Sequence, residues 1–215
     1  GDATDTITLD QSAPDAPPAR TDGGPDGEVD ADGTYTVTWE AVADALSGIQ
    51  AYALQEQVAD GAWEDVATLP GTSVTLSDRR HATLYRYRVR AQDGAGNWGA
   101  WSAASDGLTI DLTDPAGTVL INADAPYTTS RAVTLSLSAT DAEGTPITRM
   151  RFSHDDQTYT DPEPFASEKA WTLTEGEGAK RVSGQFENAA GRWSADATDT
   201  ITLDTTAPPT PAAPT

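Results

Sequence analysis

The stretch Tyr85-Arg86-Tyr87-Arg88-Val89-Arg90-Ala91 puts an aromatic or aliphatic side chain at every second position and an arginine in each gap. Alternate side chains of a β-strand point to opposite faces, so the run predicts a strand with one buried face and one cationic face. Around it, short runs of the same period predict strands at Tyr35-Val37-Trp39, Tyr52-Leu54, Trp63 to Val66, Val74-Leu76 and Leu108-Ile110. Further along come Val119-Ile121, Val133-Leu135-Leu137, Met150-Phe152, Trp171-Leu173, Val182 to Phe186 and Ile201-Leu203. Clusters of Gly, Pro, Asp and Ser separate the runs, and helical periodicity is nowhere sustained.

The chain also repeats itself. Asp2 to Asp10 and Asp196 to Asp204 both read DATDTITLD, at an offset of 194 residues. The pattern apolar-Asp-x-x-x-Pro occurs at Leu9 to Pro14, Ile110 to Pro115 and Leu203 to Pro208, with starts 101 and 93 residues apart. Asp93-Gly94-Ala95-Gly96-Asn97-Trp98 is echoed 95 residues later by Asn188-Ala189-Ala190-Gly191-Arg192-Trp193. These intervals match the roughly 100 residues of a sandwich domain, so the expected fold is all-β, two tandem immunoglobulin-like antiparallel β-sandwiches. The expected boundaries are residues 1–11 as the last strand of a preceding repeat, 12–25 as a Pro/Gly-rich linker, 26–113 and 114–206 as the two domains, and 207–215 as a Pro/Ala-rich linker to a next repeat.

Composition narrows the function classes. Thirty-four acidic against 13 basic residues leave a formal charge of −21, which nearly excludes nucleic-acid binding. With no cysteine there is no thiol nucleophile, disulfide framework or cysteine zinc site. Nothing approaches the ~20 apolar residues of a membrane span, so no membrane insertion is expected. The chain starts at Gly1 and reads as a piece of something longer. Two lysines against eleven arginines, with abundant Asp, suit a halophile or a GC-rich genome alike.

Trp39, Tyr52 and the Tyr85 to Ala91 run give the first domain a resemblance to bacterial fibronectin type III domains. The resemblance makes Tyr85 the corner tyrosine and Trp39, Tyr52 and Tyr85 core residues, although Leu76 lies nine residues upstream of Tyr85 rather than the usual six. The second domain is similar to bacterial Ig-like repeats of large surface and secreted proteins. That likeness runs through Ala139-Thr140-Asp141, Met150-Arg151-Phe152-Ser153, Glu163-Pro164-Phe165, Trp171-Thr172-Leu173 and Asp199 to Pro208, with Phe152 and Trp171 in its core. Such modules serve as spacers, adhesin stalks and accessory domains of polysaccharide enzymes, so the resemblance specifies fold far better than function.

Three features invite a functional reading. Trp98-Gly99-Ala100-Trp101-Ser102 follows the outward-facing Arg86, Arg88 and Arg90, and resembles the interleaved Arg–Trp ladder beside the WSxWS box of cytokine-receptor fibronectin domains. A structural ladder is the favoured reading, with sugar stacking on the tryptophans, Trp63 included, as the rival. Asp111, Asp114 and Asp141, with Asp26, Glu28, Asp30, Asp32 and Glu143 expected nearby, suggest a junction calcium; the rival is a solvated acidic surface, with no cofactor at all. Ile7 and Leu9 lie on one face of a strand that duplicates the end of the second domain, and they suggest strand donation to a neighbouring copy.

Catalysis finds no support. His81 and His154 fall in different domains, and no GxSxG, HExxH, Walker or dinucleotide motif occurs. The expectation is a non-enzymatic structural segment of a long bacterial or archaeal extracellular or cell-surface protein: a stalk, fibre or adhesin shaft whose partners are neighbouring copies of the repeat. The alternative is an accessory, glycan-binding module of a secreted polysaccharide-active enzyme, and glycan is not otherwise indicated.

Overall fold

The computed structural model describes residues 7–18 and 29–211. The chain divides into two units, Gly1–Leu112 and Thr113–Thr215. Asp26, Glu28 and residues 19–25 of the expected linker lie outside the described residues.

Unit 1 contains β1 (Val29–Asp30), β2 (Tyr35–Thr38), β3 (Ile49–Val58), β4 (Trp63–Leu69), β5 (Ser73–Leu76), β6 (Thr83–Asp93) and β7 (Leu108–Ile110). One sheet has the order β1-β7-β6-β3-β4 and the other pairs β2 with β5. Their inner faces share one core. The alternation of β6 buries Tyr85, Tyr87, Val89 and Ala91, and these pack with Tyr35 and Val37 of β2, Leu76 of β5, Tyr52 and Leu54 of β3 and Ile110 of β7. Trp39 packs its ring on Tyr52 at 5.8 Å, and Tyr52 Oη accepts the amide of Val42 at 3.1 Å. Tyr85 Oη accepts the Arg80 amide at 3.0 Å, so the corner bond forms despite the longer spacing to Leu76.

The same core holds a polar chain. Tyr35 Oη and Tyr87 Oη are 2.5 Å apart, Tyr87 Oη donates to Glu56 at 3.3 Å, and Glu56 pairs with Arg79 at 2.9 Å. Arg79 in turn lies 5.1 Å from the centre of the Tyr85 ring. Every buried hydroxyl of this chain therefore has a partner, which keeps its desolvation tolerable.

Unit 2 contains β8 (Ala116–Ile121), β9 (Tyr127–Thr128), β10 (Ala132–Thr140), β11 (Ile147–Ser153), β12 (Glu163–Pro164), β13 (Glu168–Thr172), β14 (Gly178–Asn188) and β15 (Ala197–Leu203). Its sheets run β13-β10-β8 and β12-β11-β14-β15-β9. Val119, Leu135, Phe152, Val182, Phe186 and Ile201 fill the space between them, and the half-buried Trp171 stacks on Phe152 at 5.6 Å. Gly117 of β8 is required by close approach, because a Cβ there would collide with the Phe186 ring and stand 2.9 Å from the Ser138 carbonyl oxygen. Between β8 and β9 three consecutive residues, Asn122, Ala123 and Asp124, have φ of 49°, 57° and 66°, and this left-handed turn carries the chain from one sheet to the other.

The expectation of purely antiparallel sandwiches needs correction. β1 pairs with β7 in parallel, Val29 opposite Thr109, and β9 pairs with β15 in parallel, Thr128 opposite Leu203. In each unit a two-residue strand near the start, β1 or β9, and the last strand run in the same direction, so where they meet at a sheet edge the ladder is parallel. Two-residue strands such as β1 and β9 have too few positions to show a period, which is why the sequence pattern missed them.

Candidate functional site

Two constructions stand out on unit 1, one of stacked side chains and one of carboxylates. Arg88 and Arg90 project from the exposed face of β6 because Tyr87, Val89 and Ala91 take the inner face. The Arg88 guanidinium lies 4.5 Å from the Trp63 ring centre and 4.8 Å from that of Trp101. Arg90 lies 4.5 Å from both Trp98 and Trp101. The result is a ladder in the order Trp63, Arg88, Trp101, Arg90, Trp98. Arg88 is oriented by Gln55 of β3, whose Oε1 accepts from Nε at 2.9 Å and Nη2 at 2.6 Å. Arg86 turns elsewhere, donating to the Asp106 carbonyl at 3.4 Å and standing 3.8 Å from Asp60.

Unit 2 carries a shorter version that sequence reasoning did not find. Arg151 of β11 lies 4.2 Å from Trp193 and 4.8 Å from Tyr159, and donates to Gln185 of β14 at 2.8 and 2.6 Å. Both arginines sit directly opposite their glutamines in the strand register. The strands are exchanged: the arginine is on the longer, later strand in unit 1 and on the earlier one in unit 2. Each exposed cation–π contact contributes about 0.5–1 kcal/mol, so the ladders brace neighbouring strands.

The carboxylates are Asp10, Asp44 and Asp93, one oxygen of each lying within 4.8 Å of the others. Asp93 ends β6, is fully buried, and accepts the amides of Ala95 and Asn97 at 3.0 and 2.8 Å. Asp44 accepts the amides of Leu46 and Ser47 at 3.0 and 2.8 Å. Asp10 accepts the Ser47 hydroxyl at 2.6 Å, and the Asn97 side-chain amide holds the carbonyl oxygens of Asp10 and Ser12 at 3.2 and 3.3 Å. The Ser47 bond, followed by that of Ser12, holds the Asp10 carboxyl below the usual carboxylate range. Calcium takes six to eight oxygens, carboxylates foremost, and this group could coordinate it. The clue lay in the two repeated motifs containing Asp10 and Asp93, which sequence reading treated as repeat markers only.

The residues expected to bind junction calcium have other neighbours. Asp111 is buried with Oδ1 3.9 Å from His81 Nδ1, and its amide donates to the Asp30 carbonyl at 2.8 Å. In unit 2, Asp114 receives Arg192 at 2.8 and 2.7 Å and Asp141 receives the Asn188 amide at 3.0 Å. Asn188 and Arg192 stand where unit 1 has Asp93 and Asn97, so unit 2 supplies an internal cation where unit 1 gathers negative charge.

Among solved structures, the fibronectin(III)-like modules of Clostridium thermocellum CbhA superpose with a TM-score of 0.52 at 14% identity, covering 86% of this chain and 94% of that one. The fold is fibronectin type III-like, in tandem. The FN1-FN3 domains of chicken CNTN1 match this fibronectin-like pair with a TM-score of 0.53 at 14% identity over 88% of this chain, which spans 66% of theirs. No family model and no curated protein matches the sequence. The sequence has no cysteine, and its two histidines, His81 and His154, lie one in each unit. Among the described residues, no helix is long and apolar enough to cross a membrane.

Proposed function

We propose that this chain is a structural repeat segment of a long extracellular or cell-surface protein of a bacterium or archaeon, a stalk, fibre or adhesin shaft in which fibronectin-like and bacterial Ig-like sandwiches alternate. In this reading residues 1–11 close a preceding repeat, 26–113 and 114–206 are the domains, and 12–25 and 207–215 are connectors. The observation that carries it is the duplicated nonapeptide. Its second copy supplies β15, the strand that completes the unit 2 sheet against β14, so the first copy is the end of another such sheet. The ladder supports a structural role too, since Trp101 presents ring surface to two arginines and is thereby withheld from a sugar.

The test is the open reading frame around this segment. Further copies at a 194-residue period are expected. A single copy adjoining a catalytic domain would overturn the shaft and favour an accessory module.

A further inference from the structure

Residues 2–17 and 196–211 match along their whole length, differing only at Gln11/Thr205, Ser12/Thr206, Asp15/Pro209 and Ala16/Thr210. The described residues of the two copies differ in which half is buried. In the later copy the first half is β15, which pairs with β14 from Ala197 to Leu203 and leaves Ile201 and Leu203 only 2% exposed. Asp204 through Pro211, the second half, is exposed throughout, with bonds to unit 2 at its start, where the Asp204 amide donates to the Thr128 carbonyl and Thr205 and Thr206 donate to Glu177. In the earlier copy the roles invert. Ile7 and Leu9, the equivalents of Ile201 and Leu203, are 99% and 76% exposed. The second half is held against unit 1: Pro14 and Pro17 are buried, Ser47 donates to Asp10, and Asn97 donates to two backbone carbonyls. Gly99 admits the Pro14 carbonyl where any side chain would collide with it.

We infer that this sixteen-residue segment is a two-sided connector, a strand that closes the unit 2-type sandwich before it and a strap that binds the Ser47, Asn97 and Gly99 surface of the unit 1-type sandwich after it. The partner of Ile7 and Leu9 is therefore a second copy of unit 2, and the partner of Asp204 to Pro211 is a second copy of unit 1. The apolar pair Ile-x-Leu fits the first, and the Asp, the hydroxyl two residues on and the two prolines fit the second. This rests on the tandem-repeat reading but is separable from it. A gene without further copies would end that reading and leave the affinity of the two surfaces intact.

The test is a chain ending at Ala195, which lacks β15, studied beside the full chain by light scattering. The shortened chain should form head-to-tail oligomers as concentration rises, and excess peptide of residues 2–10 should return them to monomers. A peptide carrying Ile7→Asp and Leu9→Asp should do nothing. Monomers at every concentration, or aggregates indifferent to both peptides, would overturn the strand half. To make the test independent of folding of the shortened unit, a second molecule joins residue 204 of one full chain directly to residue 11 of another. Amides of the strap half at the join should then exchange about tenfold or more slowly relative to Ile7 to Leu9 at the free end, with β15 protected in the same molecules. Strap amides that exchange as fast as the free end would overturn the connector.

Discussion

The hydroxyl oxygens of Tyr35 and Tyr87 meet at 2.5 Å inside unit 1, with Tyr87 fully buried and Tyr35 nearly so. Burial pushes the Tyr35 hydroxyl up to about 12 and raises Tyr87 as well. Both groups are neutral in the fold at a pH where the unfolded chain ionises them, near 10. Their contribution is complete below about pH 10 and is lost as pH rises through the folded values, because the unfolded state then binds fewer protons. Denaturant unfolding of unit 1 between pH 8 and pH 12 should show this fall, and Tyr35→Phe should shrink it. A flat profile in the parent chain would contradict the assignment.

Trp101→Ala removes the one ring shared by Arg88 and Arg90. Unit 1 should lose about 1–3 kcal/mol, the sum of two cation–π contacts and the packing of a half-buried indole. Calorimetry should show the unit 2 transition unmoved. A glycan array that shows binding in the parent, lost in this variant without a change in melting, would place the tryptophans in recognition instead.

Calcium should raise the melting temperature of unit 1, since an ion bound only by the folded state stabilises it by mass action. Asp44→Asn with Asp93→Asn should abolish the shift, at constant ionic strength, while the unit 2 transition stays put because Arg192 already neutralises Asp114 there. A melting curve identical in chelator and in millimolar calcium would leave the three carboxylates as a hydrogen-bonded turn cluster.

Gly117→Ala tests the packing of unit 2. A methyl group there meets the Phe186 ring and the Ser138 carbonyl, and overpacking of this kind costs about 1–3 kcal/mol. Urea unfolding should register it; Gly144→Ala, where nothing stands within 4 Å but φ is 78°, should cost less.

Much of this architecture was legible because buried and exposed positions alternate cleanly. The Tyr85 to Ala91 run appears in the structure with the inward and outward faces its period predicts. The ladder was legible in part: Arg88 and Arg90 share one face with spacing two, but nothing local indicates that Arg86 turns to Asp106 or that Trp63 joins from β4. The carboxylate group was not legible as a group. Asp10, Asp44 and Asp93 are far apart in the chain and meet only through tertiary folding, and acid-rich sequence offers many equally plausible trios. The parallel edges were hidden for a different reason, since direction is a property of the whole path of the chain and leaves no mark on two residues.

Those parallel edges decide how each unit answers a pull. Once β8 has yielded, tension applied at the two ends of unit 2 draws β9 and β15 lengthwise in opposite directions, because the strands run the same way. Their hydrogen bonds are then loaded in shear and must fail together, whereas an antiparallel hairpin held at its open ends would peel one bond at a time. β1 and β7 place unit 1 under the same rule. The two-residue ladders, minor in the folding of either sandwich, are thus clasps that a stretching force loads lengthwise.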